Sequence, residues 1–181
     1  MLTRKISGRP QPMKRMPTLE LADLPDWCWC TLQSGADAPD HAFHTAVIAT
    51  VREQAPEART VVLRAVAPQD RTLWFHTDRR SAKVRALSAN PRLSWVFWDA
   101  GTRIQLRCAG EARMAPSADQ IDAHWAALRE SSRSLYPGME QFLPVACSVD
   151  AFDWLELDRD GHRRAQLRWH EDRWHARWID P

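Results

Sequence analysis

The sequence contains little cysteine, tyrosine or lysine. Its 181 residues include 4 cysteines and 1 tyrosine, and the only lysines are Lys5, Lys14 and Lys83. Four scattered cysteines are too few for a disulfide framework in a chain of this length. Cys28 and Cys30 also lack the two-residue gap that is typical of cysteine zinc sites. We therefore predict neither a disulfide scaffold nor a metal site.

Long apolar runs and a strong charge imbalance are absent too. Without an apolar stretch of about 18 residues, the chain has no predicted membrane helix. The first residues lack the apolar segment of a secretory signal, so we expect a cytoplasmic protein. The net charge of +2 is too small for the strongly basic face of a typical nucleic-acid binder. We expect neither a membrane nor a nucleic acid as a partner.

The chain is instead rich in apolar side chains. Hydrophobic residues make up 44% of it, and 10 residues are tryptophan. A chain of this size and composition can bury a core as one domain, which we place at residues 17–181. Residues 1–16 are basic and contain proline and glycine, so we expect a disordered tail there. Most of the indole rings should lie in the core or in a subunit interface.

Hydrophobic periodicity predicts mostly strands. Segments rich in Val, Ile, Thr and Leu predict strands at 43–51, 59–67, 71–77, 93–98, 103–109, 151–158, 164–169 and 173–179. Helices are predicted within 18–33, where Pro25 suggests a short or kinked helix, over 82–89, and over 117–130, where Ser117 and Gln120 form a capping box. Mostly antiparallel strands with a few helices indicate an α+β barrel or sandwich.

Three cations stand at the start of the second predicted helix. Ser81 is its expected N-cap, and Arg79, Arg80 and Lys83 flank it. Cations at the positive end of a helix dipole each cost a few tenths to about 1 kcal/mol unless an anion joins them. A phosphate bound by the first backbone N–H groups and by the lysine would reverse that cost. Alternatively, the arginines extend into solvent and Asp78 offsets their charge.

Polar side chains also alternate along a predicted strand. Arg103, Gln105 and Arg107 share one face, which is either an ordinary solvated sheet face or a surface that contacts a polar heterocycle. Arg59 and Arg64 raise a second question, because residues five apart on a regular strand point to opposite faces. Either a bulge lies between them or they bind different ligands.

Five short segments carry a family resemblance, in the order ARTVVLR, FHTD, SAK, NPR and QLRCAG. Together they resemble the pyridoxamine 5'-phosphate oxidase superfamily, and most closely its short oxidase-related branch. The match covers residues 43–114 and, more weakly, the C-terminus. The resemblance implies an α+β, mainly antiparallel fold, the FMN-binding split β-barrel with a few peripheral helices. It also implies a homodimer with FMN at the subunit interface.

The resemblance further implies which residues contact FMN. Arg59 falls on the arginine that grips the FMN phosphate, Lys83 on the lysine that follows a serine, and Gln105 on a flavin-contacting glutamine. The implied cofactor-binding set is Arg59, Thr60, Val61, Val62, His76, Thr77, Ser81, Lys83, Gln105, Ser131, Trp154 and Arg164.

The C-terminal segment departs from the oxidases of this family. They address their vitamin substrate with an arginine and a histidine two residues apart, and Asp160 and His162 occupy those positions here. Arg64 keeps the positive charge of the lysine that binds the substrate phosphate. We therefore predict an oxidoreductase in which a small, anionic substrate passes a hydride to flavin N5, with His162 and Arg64 as catalytic residues. His162 as an exposed turn residue fits the sequence equally well.

Two alternatives to this prediction stay open. The protein could be a non-catalytic binder of flavin or another small ligand, or the barrel could have lost the cofactor altogether. It could also be an FMN-dependent reductase that uses a nicotinamide donor.

Overall fold

The computed structural model describes residues 19–114 and 116–181, in which nine strands form one antiparallel sheet. The predicted tail at residues 1–16 lies outside this part of the chain. The strands are β1 (Thr45–Arg52), β2 (Ala55–Val62), β3 (Ala65–Ala67), β4 (Thr72–Asp78), β5 (Arg92–Asp99), β6 (Ile104–Arg113), β7 (Phe142–Glu156), β8 (Arg163–His170) and β9 (Arg173–Ile179). The α-helices are α1 (Leu24–Asp37), α2 (Ala82–Ala89), α3 (Ala118–Ala126) and α4 (Glu130–Arg133). No helix in the described part is long and apolar enough to cross a membrane.

β7 joins the two parts of the sheet. The strand order is β2-β1-β5-β6-β7-β4-β3, and β8 pairs with both β7 and β9. β4 pairs with residues 142–148 of β7, whereas β8 pairs with residues 151–156, so β7 has different neighbours along its two halves. The terminal strands of the order, β2 and β3, do not pair with each other in the described structure, and the sheet stays open. This architecture confirms the predicted α+β, mainly antiparallel class.

A β-bulge changes which positions of β7 face the core. Ala109 of β6 pairs with Ala151, but the next residue, Gly110, pairs with Val149, so Asp150 is an extra residue in β7. Because one residue is added, the positions that face the core change from odd to even numbers. The side chains of β7 that belong to the main core cluster are those of Leu143, Val145, Cys147 and Val149 before the bulge, and those of Phe152 and Trp154 after it.

The core lies between the inner face of the curved sheet and α1. Cys28, Trp29 and Leu32 recur at helical spacing on α1 and are buried. The Trp29 ring meets Phe152 of β7 edge to face, with 5.1 Å between the ring centroids. Such contacts fix α1 against the second half of β7.

The opposite face of the sheet is open and partly apolar. Val47 of β1 pairs with Val96 of β5, and two residues further along β5, Trp98 pairs with Gln105 of β6. Directly paired residues project to the same side of a sheet, so these side chains share one surface. Val47 and Trp98 are 40% and 44% exposed. We call this surface the outer face; it is formed by Val47, Val96, Trp98, Gln105, Arg107, Asp153 and Arg164.

The predicted strand 59–67 is interrupted in the structure. β2 ends at Val62, and the N–H of Arg64 donates to the carbonyl of Trp74 on β4 at 2.8 Å. β3 begins only after that bond. Arg59 therefore lies on β2, whereas Arg64 lies in the break between β2 and β3, which favours different ligands or different parts of one ligand.

The ends of two predicted helices also change. Pro25 lies in the first turn of α1, where its missing N–H removes no helical hydrogen bond, so it starts the helix and does not kink it. The capping box of Ser117 forms as predicted, but α3 ends at Ala126. There Arg133 donates to the carbonyl oxygen of Ala126 at 2.8 Å. This bond satisfies a carbonyl at the helix end.

The first half of β7 is a strand that the sequence analysis did not predict. Residues 142–147 are all buried, so the segment shows no alternation of apolar and polar side chains. Pro144 within it also argues against a strand by sequence criteria. Because both faces of this segment are buried, it lacks the alternation of apolar and polar residues from which a strand is predicted.

We expect Gly110→Ala to destabilise the fold. A Cβ atom at Gly110 would lie 2.1 Å from the carbonyl oxygen of Ser148, a backbone atom that cannot rotate away. Overpacking of this kind costs about 1–3 kcal/mol, measurable as a lower urea midpoint. Gly101→Ala is the control, because its Cβ would meet only the side-chain oxygen of Asp99, at 3.2 Å. Equal midpoints for the two variants would contradict the role given to Gly110.

Candidate functional site

The structure distributes the predicted site residues over three places. The first, the α2 cluster, consists of Arg59, Thr77, Ser81 and Lys83. The second, the α3 cleft, is the space lined by Arg64, His76 and Ser131, together with His124 and Arg129, which the sequence analysis did not select. The third is the outer face, which carries Gln105 and Arg164.

Hydrogen bonds between side chains hold the α2 cluster together. The Lys83 ammonium donates to Oγ1 of Thr77 at 3.0 Å, and Oγ1 of Thr77 lies 3.1 Å from Oγ of Ser81. Thr77 comes from the end of β4, and Ser81 is the N-cap residue of α2, as predicted. The Ser81 hydroxyl caps no backbone N–H, since it contacts Thr77 instead. The Ser81 side chain therefore satisfies no N–H group of the first helical turn, although the Ser81 carbonyl accepts from the Val84 N–H at 3.1 Å.

The α2 cluster carries positive charge that its neighbours compensate only in part. Arg59 donates to Oγ1 of Thr50 at 2.6 Å and to the Glu57 carboxylate at 2.9 Å. Lys83 forms no ion pair with another described residue. Burial lowers the pKa of Lys83, the charge of Arg59 lowers it further, and the charge of Asp78 opposes both effects. A half-buried ammonium beside a guanidinium is a site that favours an anion.

Arg79 and Arg80 do not belong to this cluster. Arg80 forms an ion pair with Asp78 at 2.7 Å, and the Arg80 hydrogen bonds lower the pKa of Asp78 to about 2. Arg79 is exposed. The alternative in which Asp78 offsets an exposed arginine therefore holds for Arg80 and leaves Lys83 without that partner.

The α3 cleft has the size of a small-molecule site. Its volume is about 530 Å³, and the end of α1, the start of β3, β4 and α3 with the turn after it form its walls. Arg64 and Arg129 contribute guanidinium groups, and Ser131 contributes a hydroxyl. Ligand pockets commonly have volumes of about 300–1,000 Å³.

Two histidines make direct contact in this cleft. Nε2 of His76 lies 3.1 Å from Nδ1 of His124. Burial lowers the pKa of His76 to about 3, with smaller contributions from the charges of His124 and Arg64, and burial also lowers the pKa of His124. Both rings are thus neutral at physiological pH, and one nitrogen donates while the other accepts.

No sequence signal pointed to His124. The contact spans 48 residues along the chain, and it depends on how α3 packs over β4. His76 and the next residue, Thr77, point to opposite sides of β4. His76 therefore lines the α3 cleft, whereas Thr77 belongs to the α2 cluster.

An ion network lies beside Gln105 on the outer face. Arg107 donates to the Asp153 carboxylate at 2.7 Å, and Arg164 donates to it at 3.1 and 2.9 Å. Burial of Asp153 would raise its pKa, but the hydrogen bonds from Arg164 and Arg107 outweigh burial and lower it. This network fixes Arg164 next to the strand that carries Gln105. Gln105 itself pairs with Trp98.

Trp154 is a core residue in the structure. It is 1% exposed, and its ring meets Trp27 of α1 edge to face at 6.2 Å. Gln105 and Arg164 lie on the other side of the sheet. The Trp154 side chain packs against α1, and its contact with FMN stays a prediction.

Other predicted residues lie outside the three groups. Val61 is 8% exposed and belongs to the core, whereas Thr60 is exposed and Val62 is half-buried on β2. His162 is exposed in the turn between β7 and β8. Arg103 precedes β6 with φ 57°, so the predicted polar row begins at Gln105.

The α2 cluster and Gln105 lie near opposite ends of β7. Thr77 pairs with Leu143, and Gln105 pairs with Leu155. Twelve residues of strand separate these partners, about 40 Å along β7 at 3.3 Å per residue. Arg59 also faces the inner side of the sheet, since it pairs with the buried Ile48. Gln105 faces the outer side, since it pairs with the exposed Trp98, so the two groups lie on opposite faces of the sheet.

Comparison with known proteins shows sequence similarity to one family. Residues 26–116 match the sequence profile of the pyridoxamine 5'-phosphate oxidase FMN-binding domain. A pyridoxine/pyridoxamine 5'-phosphate oxidase of Kineococcus radiotolerans is 31% identical over 113 residues, which are 62% of this chain and 48% of that protein. The enzyme of the same name from Thermosynechococcus vestitus is 37% identical over 98 residues, 54% of this chain and 44% of that protein. The matched region spans less than half the length of either relative.

Solved structures extend the likeness of the fold beyond this region. A pyridoxamine 5'-phosphate oxidase-related, FMN-binding protein of Nostoc punctiforme has a TM-score of 0.74 at 23% identity, covering 90% of this chain and 100% of that one. PhzG of Burkholderia lata, solved with tetrahydrophenazine-1-carboxylic acid, has a TM-score of 0.69 at 15% identity, covering 91% and 94%. With the FMN-binding split β-barrel as its fold, the chain belongs to the pyridoxamine 5'-phosphate oxidase FMN-binding domain family.

Proposed function

We propose that this protein binds FMN and acts as an oxidoreductase on a small, anionic substrate. The observation that carries the proposal is the α2 cluster. There a half-buried Lys83, hydrogen-bonded to Thr77, stands beside Arg59 at the start of a helix. The family to which the chain belongs is named for FMN binding.

The α2 cluster fits the phosphate of FMN. Lys83 and Arg59 would supply two cations, and the hydroxyls of Thr77 and Ser81 and the first amides of α2 would supply further hydrogen bonds. A dianionic phosphate would neutralise the charge that burial of Lys83 makes unfavourable. An uncharged ligand bound by the same residues would leave the charges of Lys83 and Arg59 uncompensated.

A second copy of the chain completes the site in this proposal. Gln105 and Arg164 are predicted contacts to FMN, and they lie on the opposite face of the sheet from Arg59 of the α2 cluster. The outer face around Gln105 exposes Val47 and Trp98, apolar side chains that a partner would cover. A homodimer with the cofactor between its subunits satisfies both observations.

The α3 cleft is the proposed substrate site. Arg64 and Arg129 would hold an anionic group of the substrate, and Ser131 would donate a hydrogen bond. The neutral pair of His76 and His124 would orient the substrate by hydrogen bonds without adding charge. His76 and Ser131 would thus contact the substrate, whereas the family resemblance implied contacts with FMN. Bound FMN would supply the redox chemistry by taking a hydride at its N5 atom. A role for His162 in orienting the substrate stays a prediction, since this residue is exposed in a turn.

Lys83→Ala and Arg59→Ala should each weaken FMN binding by at least about tenfold, because each removes a charged hydrogen bond to the phosphate. A fluorescence titration with FMN measures the effect. Arg80→Ala is the matched control, since Arg80 is exposed and paired with Asp78. Riboflavin, which lacks the phosphate, should bind the Lys83 variant and the unaltered protein equally. Equal FMN affinity of the Lys83 and Arg80 variants would contradict the phosphate assignment.

The dimer proposal predicts complementation between two defective chains. Lys83→Ala and Gln105→Ala homodimers should both lack high-affinity FMN sites. A heterodimer of the two variants, purified with two different affinity tags, pairs one intact Lys83 with one intact Gln105 and should bind about one FMN per dimer. If the heterodimer binds no FMN, each site takes Lys83 and Gln105 from the same chain, and the shared site is refuted.

Reduction of bound flavin tests the catalytic part of the proposal. Under anaerobic conditions, pyridoxamine phosphate, pyridoxine phosphate or a reduced nicotinamide should bleach the flavin absorbance if it is a hydride donor for this protein. Arg64→Ala should slow bleaching by a phosphorylated donor by roughly tenfold or more, since it removes a charged contact. Tightly bound flavin that none of these compounds reduces would favour the non-catalytic alternative.

A further inference from the structure

We propose that His170, Glu171 and His175 form a binding site for a divalent transition-metal ion such as Zn²⁺. One ligand atom from each of these side chains lies within 4.8 Å of the other two. The three residues lie at the tip of the β8–β9 hairpin. The inference does not depend on the proposed flavin chemistry.

The hairpin register brings the two histidines together. His170 pairs with Arg173, and Arg168 pairs with His175, so His170 and His175 are diagonal neighbours on one face of the hairpin. Their rings are stacked, with 3.5 Å between centroids and 9° between planes. Residues five apart in sequence give no indication of this contact, which is why the sequence analysis predicted no metal site here.

The turn places the carboxylate beside the rings. Glu171 and Asp172 form the two-residue loop, with φ angles of 51° and 55°. In this conformation Oε2 of Glu171 lies 3.9 Å from Nδ1 of His170. Two strands and their turn thus supply three candidate ligand atoms within 4.8 Å of one another.

The donor set selects the class of metal. Two imidazole nitrogens and one carboxylate oxygen suit Zn²⁺, Ni²⁺ and Cu²⁺, whereas Mg²⁺ and Ca²⁺ prefer oxygen ligands. The site is open, with His170 and Glu171 side chains 53% and 73% exposed. Water can therefore occupy the remaining coordination positions, as in metal sites with three protein ligands.

Arg173 is the competitor of the metal at this site. Its Nε donates to Nε2 of His175 at 3.1 Å, and its Nη2 lies 3.8 Å from Oε2 of Glu171. The hydrogen bond shows that Nε2 of His175 presents a lone pair, which is what a metal requires. Arg173 is 69% exposed, so a metal ion can displace it into solvent at little cost. Removing this cation should strengthen metal binding.

Titration calorimetry with Zn²⁺ tests the proposal on the chelator-treated full chain without a polyhistidine tag. We expect about one equivalent of Zn²⁺ to bind saturably per chain. His170→Ala and His175→Ala should each weaken Zn²⁺ binding by roughly tenfold or more, because even the loss of an outer-shell partner lowers metal affinity by about that factor. Arg173→Ala should bind Zn²⁺ more tightly. His162→Ala is the matched control, because it removes an exposed histidine from a different turn.

A second readout separates metal binding from damage to the fold. Zn²⁺ should raise the thermal midpoint of the unaltered chain and of His162→Ala, but not that of His170→Ala or His175→Ala. The midpoints without metal should agree among these variants, since the altered side chains are mostly exposed. The proposal would be overturned if no saturable binding of Zn²⁺ is found or if the His170 and His162 variants bind Zn²⁺ equally well. It would also be overturned if Mg²⁺ raises the thermal midpoint as much as Zn²⁺ does.

Discussion

The pairing of β7 is the constraint on which the rest of the structure depends. This strand pairs with β6 on one side, and on the other side its first half pairs with β4 and its second half with β8. β4 carries Thr77 towards α2, whereas the β6 segment beside the second half of β7 carries Gln105. The length of β7 therefore separates the cationic cluster from the polar outer face, and the bulge at Asp150 keeps apolar side chains on the core side of both halves.

The α2 cluster and the α3 cleft differ in how they handle charge. At α2, Lys83 stays close to Arg59 although burial opposes its charge, so the protein tolerates an unfavourable arrangement that a bound anion would relieve. In the cleft, burial instead removes charge, and His76 and His124 are neutral hydrogen-bonding groups. The cleft is thus lined by two arginine side chains and by uncharged imidazoles. This combination suits a ligand with one anionic end and one polar, uncharged end.

Local patterns were sufficient for the fold class and for part of the site. Five segments in order indicated the family, the N-cap position of Ser81 was evident from its surroundings, and strand alternation placed Gln105 on an exposed face. The remaining features depend on contacts between distant segments. His124 reaches His76 only through the packing of α3, Trp154 is buried because α1 brings Trp27 against it, and the first half of β7 is hidden from pattern analysis by burial on both sides. Sequence spacing also cannot reveal that a hairpin stacks His170 on His175.

The alternation along β6 has a consequence for how this fold can diverge. Ile104, Leu106 and Cys108 face the core, and Gln105 and Arg107 between them face outward. Stability and recognition are thus assigned to interleaved positions of the same strand, which can change independently during evolution. A substitution at an outward position alters the chemistry offered to a ligand and leaves the packing intact. The same scaffold can therefore acquire a new specificity through a few substitutions, while each intermediate variant still folds.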